Sequence, residues 1–288
     1  MKNTLEYNEI ARRLRTFFQE EKGFIEVPSQ TRTSILAACE DPKTIALYHL
    51  NGSQWPLPQT GQMWLEYELL NNPSWPGVFC MSTSYRDEPN IIEGRHSRIF
   101  PLFEFESHGN FQALQKIEKE LLLFLGFEAP YSINYETACA RYHTDTLEAE
   151  HEARMCTELS NIVSLEKFPH RTHPFWNMKH DANGIYSKID VILYGMETIG
   201  SAERSCNIEE MRNDFFTISE GGYSRILFEK FGKERVMKEL DEYLTLDMFP
   251  RFGGGIGVTR LAHALREAGL LNASMPYIHK HKIIQSEV

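Results

Sequence analysis

The chain is short of positive charge. It carries 30 Lys and Arg against 40 Asp and Glu, a formal charge of −10 over 288 residues. Phosphate contacts dominate affinity for nucleic acid, so proteins that bind it usually show a basic surface. The balance therefore counts against a polyanion as the main partner, although a local basic patch would suffice. Cysteine is scarce too. Five are present, at positions 39, 80, 139, 156 and 206, with no CxxC pair among them. An odd, scattered set excludes a disulfide framework and a zinc ribbon, and suits a reducing cytoplasm. These cysteines read as small buried apolar residues. No apolar run approaches the roughly 20 residues that cross a bilayer, so no membrane partner is expected. The N-terminal stretch MKNTLEYNEIARRLR lacks the apolar core of a secretory signal. There is no dinucleotide fingerprint and no P-loop lysine motif. Repeats and a Pro/Gly/Ser linker are also missing, and a single domain is expected.

What is present is an ordinary globular composition, 42% hydrophobic and 24% charged. Leu5, Ile10, Leu14, Phe17 and Phe18 recur at helical spacing, which predicts an amphipathic helix ending at Gly23. Residues 24–28 read as extended and residues 40–62 as irregular. GVFCMSTSYRDE predicts a strand running into Arg86. SRIFPLFEFES alternates apolar and polar, which predicts a second strand antiparallel to the first. Residues 111–126 carry a helical stripe, and residues 127–165 read as helical and acidic. KIDVILYGMETIG predicts strand–turn–strand, and residues 208–244 predict more helix. RFGGGIGVTRLAHALREAG reads as a glycine-rich strand turning into a helix. Hairpins rather than regular βαβ units favour an α+β domain built on an antiparallel sheet.

Three segments carry chemistry. In TSYRDEPNIIEGRHSRIFPLFEFES, Arg86 offers a fork for a phosphate and Glu88 an acceptor for an adenine amino group. Phe100 offers a ring to stack on a base, and the loop between holds Arg95 and His96. A solvated hairpin with its charges in water is the plainer reading of the same residues. In GGGIGVTR, glycines allow a ligand close to the backbone, and Arg260 follows at the mouth of a helix. A packing turn or a bulge would use the same glycines. In DVILYGMETIGSAERS, Asp190 and Glu197 stand seven apart across a turn at Gly195. Two convergent carboxylates can hold Mg²⁺ beside phosphates. Glu203 and Arg204 follow near the same end.

Together these segments resemble motifs 2 and 3 of the class II aminoacyl-tRNA synthetases, in the subgroup for aspartate, asparagine and lysine. YRDE…RHSRIFPLFEFE is similar to that family's FRxE…RHxxEFxxxExE, and GGGIGVTRL to its GFGLGFERL. TGQMWLE at 60–66 is similar to the asparaginyl loop SGQLYLE. PFWNMK at 174–179 resembles PFYMK with one extra residue. METIGSAERS resembles GEIxGGSQRE, and GFIEVP at 23–28 resembles the dimer-forming motif 1. The likeness runs from about residue 5 to 270, in order.

The resemblance implies a class II catalytic core that makes an aminoacyl-adenylate from ATP. It implies that Arg86 holds the α-phosphate, Glu88 reads the adenine amino group and Phe100 stacks on the ring. Arg95 or His96 would reach the outer phosphates, and Arg260 the γ-phosphate, over a floor shaped by Gly255 and Gly257. Asp190 and Glu197 would carry Mg²⁺, while Gln62 and Arg204 would hold the amino acid. A homodimer follows from motif 1.

The chain also departs from the family. Ile99 stands for a Glu before the motif 2 Phe. Glu203 stands for Gln, either to hold an ammonium or amine or to neutralise Arg204. Leu65 stands for the aspartyl enzymes' Lys. No anticodon-binding barrel precedes the motif 1 segment, so residues 1–288 are expected to form one catalytic domain that neither needs nor charges tRNA. The first expectation is then adenylation of aspartate and transfer to ammonia, giving asparagine, as in core-only relatives of the asparaginyl enzyme. A core-only ligase with another amine, a carrier protein or a tRNA as acceptor is the alternative, followed by a silent regulatory paralogue.

Overall fold

The computed structural model describes residues 3–29, 33–38, 42–89 and 97–271. The Asn3 side chain accepts from the Leu5 and Glu6 amides and opens helix α1 (Thr4–Arg15). The helix continues through a wider turn over Thr16–Glu21 that buries Phe17 and Phe18. Gly23, at φ +70°, reverses the chain into the short strand β1 (Ile25–Glu26). Phe18 anchors this end, its ring 4.8 Å from Phe103 and 4.9 Å from Phe105.

Residues 40–62, expected to be irregular, contain a hairpin of β2 (Leu47–Leu50) and β3 (Ser53–Pro56). Asn51 and Gly52 take φ of 51° and 72° at its tip. An Asn-Gly pair supplies the left-handed backbone that tight hairpins need. Helix α2 (Gln62–Asn71) follows, buried on nearly all sides. The expected strand pair is β4 (Gly77–Tyr85) and β5 (Ile99–His108), antiparallel, with Tyr85 opposite Ile99. Arg86 lies one residue past β4, and its amide donates to Arg98 O at 2.8 Å.

Helix α3 (Phe111–Leu125) is capped by Asn110 and ended by left-handed Gly126. The segment 127–165 is not purely helical. Strands β6 (Tyr131–Asn134) and β7 (Ile162–Pro169) flank helices α4 (Tyr135–Tyr142) and α5 (Ala149–Glu158). A short apolar run such as Ile162–Leu165 fits either element, and burial in a sheet decided it. Strands β8 (Ile185–Leu193) and β9 (Met196–Glu203) turn at Tyr194 and Gly195. Helices α6 (Ile208–Thr217), α7 (Gly222–Phe231) and α8 (Lys233–Leu244) pack around buried Trp176. Strand β10 (Arg251–Gly257) runs directly into α9 (Val258–Glu267).

Eight strands form one sheet in the order β1-β4-β5-β10-β9-β8-β7-β6. Its centre is antiparallel as expected, but β1 pairs parallel to β4 and β6 parallel to β7. One face packs on α1, α3 and α9 through Phe, Leu and Ile side chains. The other face carries α2 at one side and holds a deep cleft. Among the described residues no helix is long and apolar enough to cross a membrane.

Candidate active site

Strand alternation sorts the side chains, because neighbours along a strand point to opposite faces. Glu104 and Glu106 of β5 sit opposite Gly255 and Gly253 of β10, and Gly255 sits opposite Gly200 of β9. Of these, Glu104, Gly200 and Gly255 line the cleft, whose volume is about 980 Å³, and Glu106 and Gly253 follow two residues along the same strands.

One end is suited to a nucleotide. Arg86, Glu88, Phe100, Gly255, Gly257 and Arg260 all line it. The Arg86 guanidinium lies 5.4 Å from the centre of the Phe100 ring. A Cβ on Gly255 would meet only Glu104 Cγ at 3.6 Å, so this strip of backbone is open to a flat ligand. Arg260, in the first turn of α9, donates through Nη1 to Glu197 O at 2.7 Å, which holds one end of its guanidinium at the rim. Arg95 and His96 lie outside the described residues.

Asp190 and Glu197 approach one another over Gly200. A Cβ there would be 3.2 Å from Glu197 Oε1 and 3.6 Å from Asp190 Oδ1. Burial pushes the Asp190 carboxyl up to about 7, with Lys188 pulling it down and Glu197 pushing it further up. Lys188 donates to Asp190 Oδ2, while Oδ1 is buried without a partner among the described residues.

The other end has a floor of buried charge. Gln62 and Arg204 line the cleft here. Gln62 Nε2 donates to Phe105 O at 3.1 Å and to Glu106. Arg204 Nε donates to Glu106 Oε1 at 2.7 Å and lies 3.6 Å from Glu66 Oε1. Arg251, fully buried, donates through Nη2 to Glu66 Oε2 at 2.7 Å, and Tyr243 donates to the same oxygen at 2.6 Å. Two carboxylates and two guanidiniums thus neutralise each other out of water. Burial alone would raise the Glu66 carboxyl, yet the Arg251 and Arg204 guanidiniums hold it below the usual range. Glu106 moves the other way. Burial pushes it up to about 7 against the pull of Arg204.

Glu203 is not in this group. It sits opposite Phe252 and so shares that residue's face, away from the cleft. Its carboxylate accepts from Lys179 Nζ at 2.7 Å and from the Phe111 amide at 3.1 Å, capping α3. It neither lines the cleft nor neutralises Arg204, whose partners are Glu106 and Glu66. Sequence reading also passed over Glu66, Arg251 and Asn177 as site residues. For Glu66 a signal was available: an acid flanked by Met63, Trp64, Leu65 and Tyr67 in the largely apolar run MWLEYELL needs a partner if it is buried.

Residues 1–275 match the family described as tRNA synthetases class II (D, K and N). The chain therefore belongs to that family. Its fold is similar to that of the Pyrococcus horikoshii asparaginyl-tRNA synthetase solved with asparaginyl-adenylate. The TM-score is 0.75 at 18% identity, covering 91% of this chain and 64% of that one. The Entamoeba histolytica asparaginyl-tRNA synthetase, also with asparaginyl-adenylate, gives 0.71 at 17% identity, covering 91% and 63%. The aspartyl-tRNA synthetase of the same organism gives 0.65 at 18% identity, covering 90% and 54%. The chain thus spans less than two thirds of the length of these proteins. No curated protein sequence matches it.

Proposed function

We propose that the protein is an AMP-forming ligase that activates an amino acid as its adenylate. One observation carries this reading. Two arginines, Arg86 and Arg260, line a single cleft together with an aromatic ring at one end and a neutralised acid–guanidinium floor at the other. That is room for ATP and a small amino acid in line. The substrate carboxylate attacks the α-phosphorus, a P–O bond forms, and pyrophosphate departs with the electron pair. No side-chain nucleophile is needed, so positioning and fixed positive charge supply the catalysis. Arg86 meets the charge that grows on the α-phosphate, and Arg260 that on the leaving group. Phe100 and Glu88 hold the base.

Asp190 and Glu197 suit a divalent cation. Two convergent oxygens, one buried and without a partner, give a hard oxygen site that a bound Mg²⁺ would complete alongside phosphates. Such an ion would neutralise phosphate charge.

In its finer form the amino acid is aspartate and the acceptor ammonia. Asparagine arises only if the β-carboxylate is adenylated. Ammonia then attacks that carbonyl, AMP leaves and a proton is lost. The α-ammonium and α-carboxylate would rest on the floor, where Arg204 and the acceptors Glu106 and Asn177 stand. Family membership supports a second reading, in which the activated amino acid passes to a tRNA or another amine. The test incubates the protein, ATP and Mg²⁺ with radiolabelled aspartate and either ammonium or total tRNA. Free labelled asparagine is expected. Label in acid-precipitable RNA without free asparagine would favour the second reading.

A further inference from the structure

Asn177 is 1% exposed yet lines the cleft. Its position is over-determined. Its carbonyl accepts from the Ser205 amide at 2.8 Å, and Met178 beside it is bridged to Arg204. Its side-chain Nδ2 donates to Glu66 Oε1 at 2.6 Å and lies 3.9 Å from Met63 Sδ. Glu66 is held ionised by the guanidiniums of Arg251 and Arg204, so it can only accept. The amide is therefore fixed with nitrogen toward Glu66, since the flipped form would oppose two acceptors. That leaves Oδ1 buried, and it has no partner among the described residues. A buried acceptor left unpaired is destabilising, and a bound donor relieves it. The site lies at the Arg204 end, remote from Arg86, where the activated carboxylate must sit. Asn177 also falls in PFWNMK, which is one residue longer than the family's similar stretch.

We propose that Asn177 determines substrate specificity, its Oδ1 accepting a hydrogen bond from an N–H group at the end of the amino acid remote from the activated carboxylate. The inference rests on the adenylating reading of the cleft. Two substrates present that chemistry. One is aspartate activated at its β-carboxylate, whose α-ammonium reaches the floor. The other is asparagine activated at its α-carboxylate, whose side-chain amide does. Aspartate activated at its α-carboxylate offers a carboxylate there and is rejected, because two acceptors would meet in a dry pocket.

The experiment traps the adenylate with hydroxylamine and identifies the hydroxamate made from aspartate or asparagine. Wild type is compared with Asn177→Leu, which keeps the size and removes the amide, and with Asn177→Ser, which removes the amide and shortens the side chain. The β-hydroxamate of aspartate, or the α-hydroxamate of asparagine, is expected to fall about 10- to 100-fold in kcat/KM in the variants. The α-hydroxamate of aspartate is expected to stay the same or rise. That change in ratio separates recognition from a loss of packing, which would lower every product alike and would overturn the proposal. Equal yields in wild type and both variants would also overturn it, and would mean that Oδ1 serves only a water. Hydroxamate from no amino acid would overturn the ligase reading itself, and this proposal with it. If Asn177→Leu fails to fold, the Asn177→Ser ratio decides.

Discussion

Arg86 and Arg260 are the residues on which the proposed chemistry leans most. Each contact to a phosphate that gains charge in the transition state is worth about 3 kcal/mol or more, by analogy with a lost oxyanion donor. Arg86→Ala and Arg260→Ala should each cut pyrophosphate exchange by more than about 100-fold, with thermal unfolding near that of wild type. Exchange close to normal would remove both from the site. Glu118 tests the other face of the sheet. Burial pushes its carboxyl up to about 8, partly offset by the Ser201 hydroxyl, which donates to Oε1 at 2.6 Å. A raised carboxyl means that the folded chain holds the proton more tightly than the unfolded one. Stability is then undiminished below about pH 4.5 and falls as pH climbs toward 8. Glu118→Gln keeps the acceptor and removes the titration. It should raise the melting temperature at pH 8 by about 2 °C or more and flatten the decline. Calorimetry across pH 5–8 reads this directly, and an unchanged profile would show that Glu118 ionises freely.

At the level of elements, the glycine-rich strand β10 divides into two kinds of position. A Cβ on Gly254 would fall 2.6 Å from Ser201 Cβ and 2.8 Å from Gly200 O, so alanine there must push β9 away. A Cβ on Gly255 would meet nothing closer than 3.6 Å. Gly254→Ala should therefore destabilise by about 1–3 kcal/mol. Gly255→Ala should leave stability unchanged and raise the KM for ATP, because only a bound ligand needs that space. Urea melts and exchange kinetics on the two variants separate these outcomes. The β8–β9 hairpin carries the metal prediction. Chelator should stop exchange, and Asp190→Asn should raise the Mg²⁺ concentration needed for half activity, while metal-independent turnover would refute the site. The β2–β3 hairpin was legible in Asn51-Gly52 and was missed because residues 40–62 hold several other turn formers. Strands β6 and β7 were not legible, since the four residues of Tyr131–Asn134 and a short, mostly apolar run such as Ile162–Leu165 are too brief for period to separate strand from helix.

For the whole molecule, a homodimer is expected from the GFIEVP segment. The edge strand β1 has half-exposed Ile25 on the rim of the sheet, and exposed Phe124 lies 5.4 Å from Phe17 on the adjoining turn. A second copy would cover such a surface by two-fold symmetry. Light scattering at micromolar concentration should give twice the chain mass, and a fully active monomer would remove the claim. The proposed small acceptor agrees with a formal charge of −10, a balance unfavourable for gathering a polyanion over the surface as a whole.

The sequence by itself determined the α+β class, the central hairpins and the strand-to-helix turn at Val258. Each of these depends on local periodicity or turn chemistry that neighbouring residues encode. It also determined the family, through ordered short motifs. Only the tertiary structure decided which face each side chain takes. Glu203 and Arg204 are adjacent in sequence, yet pairing with Phe252 turns Glu203 toward α3, while Arg204 meets Glu106 in the cleft. A one-residue change of register would exchange those roles, and nothing local sets that register. The charge pairing of Glu66 with Arg251, 185 residues away, and the orientation it imposes on Asn177 follow from burial that distant segments create together.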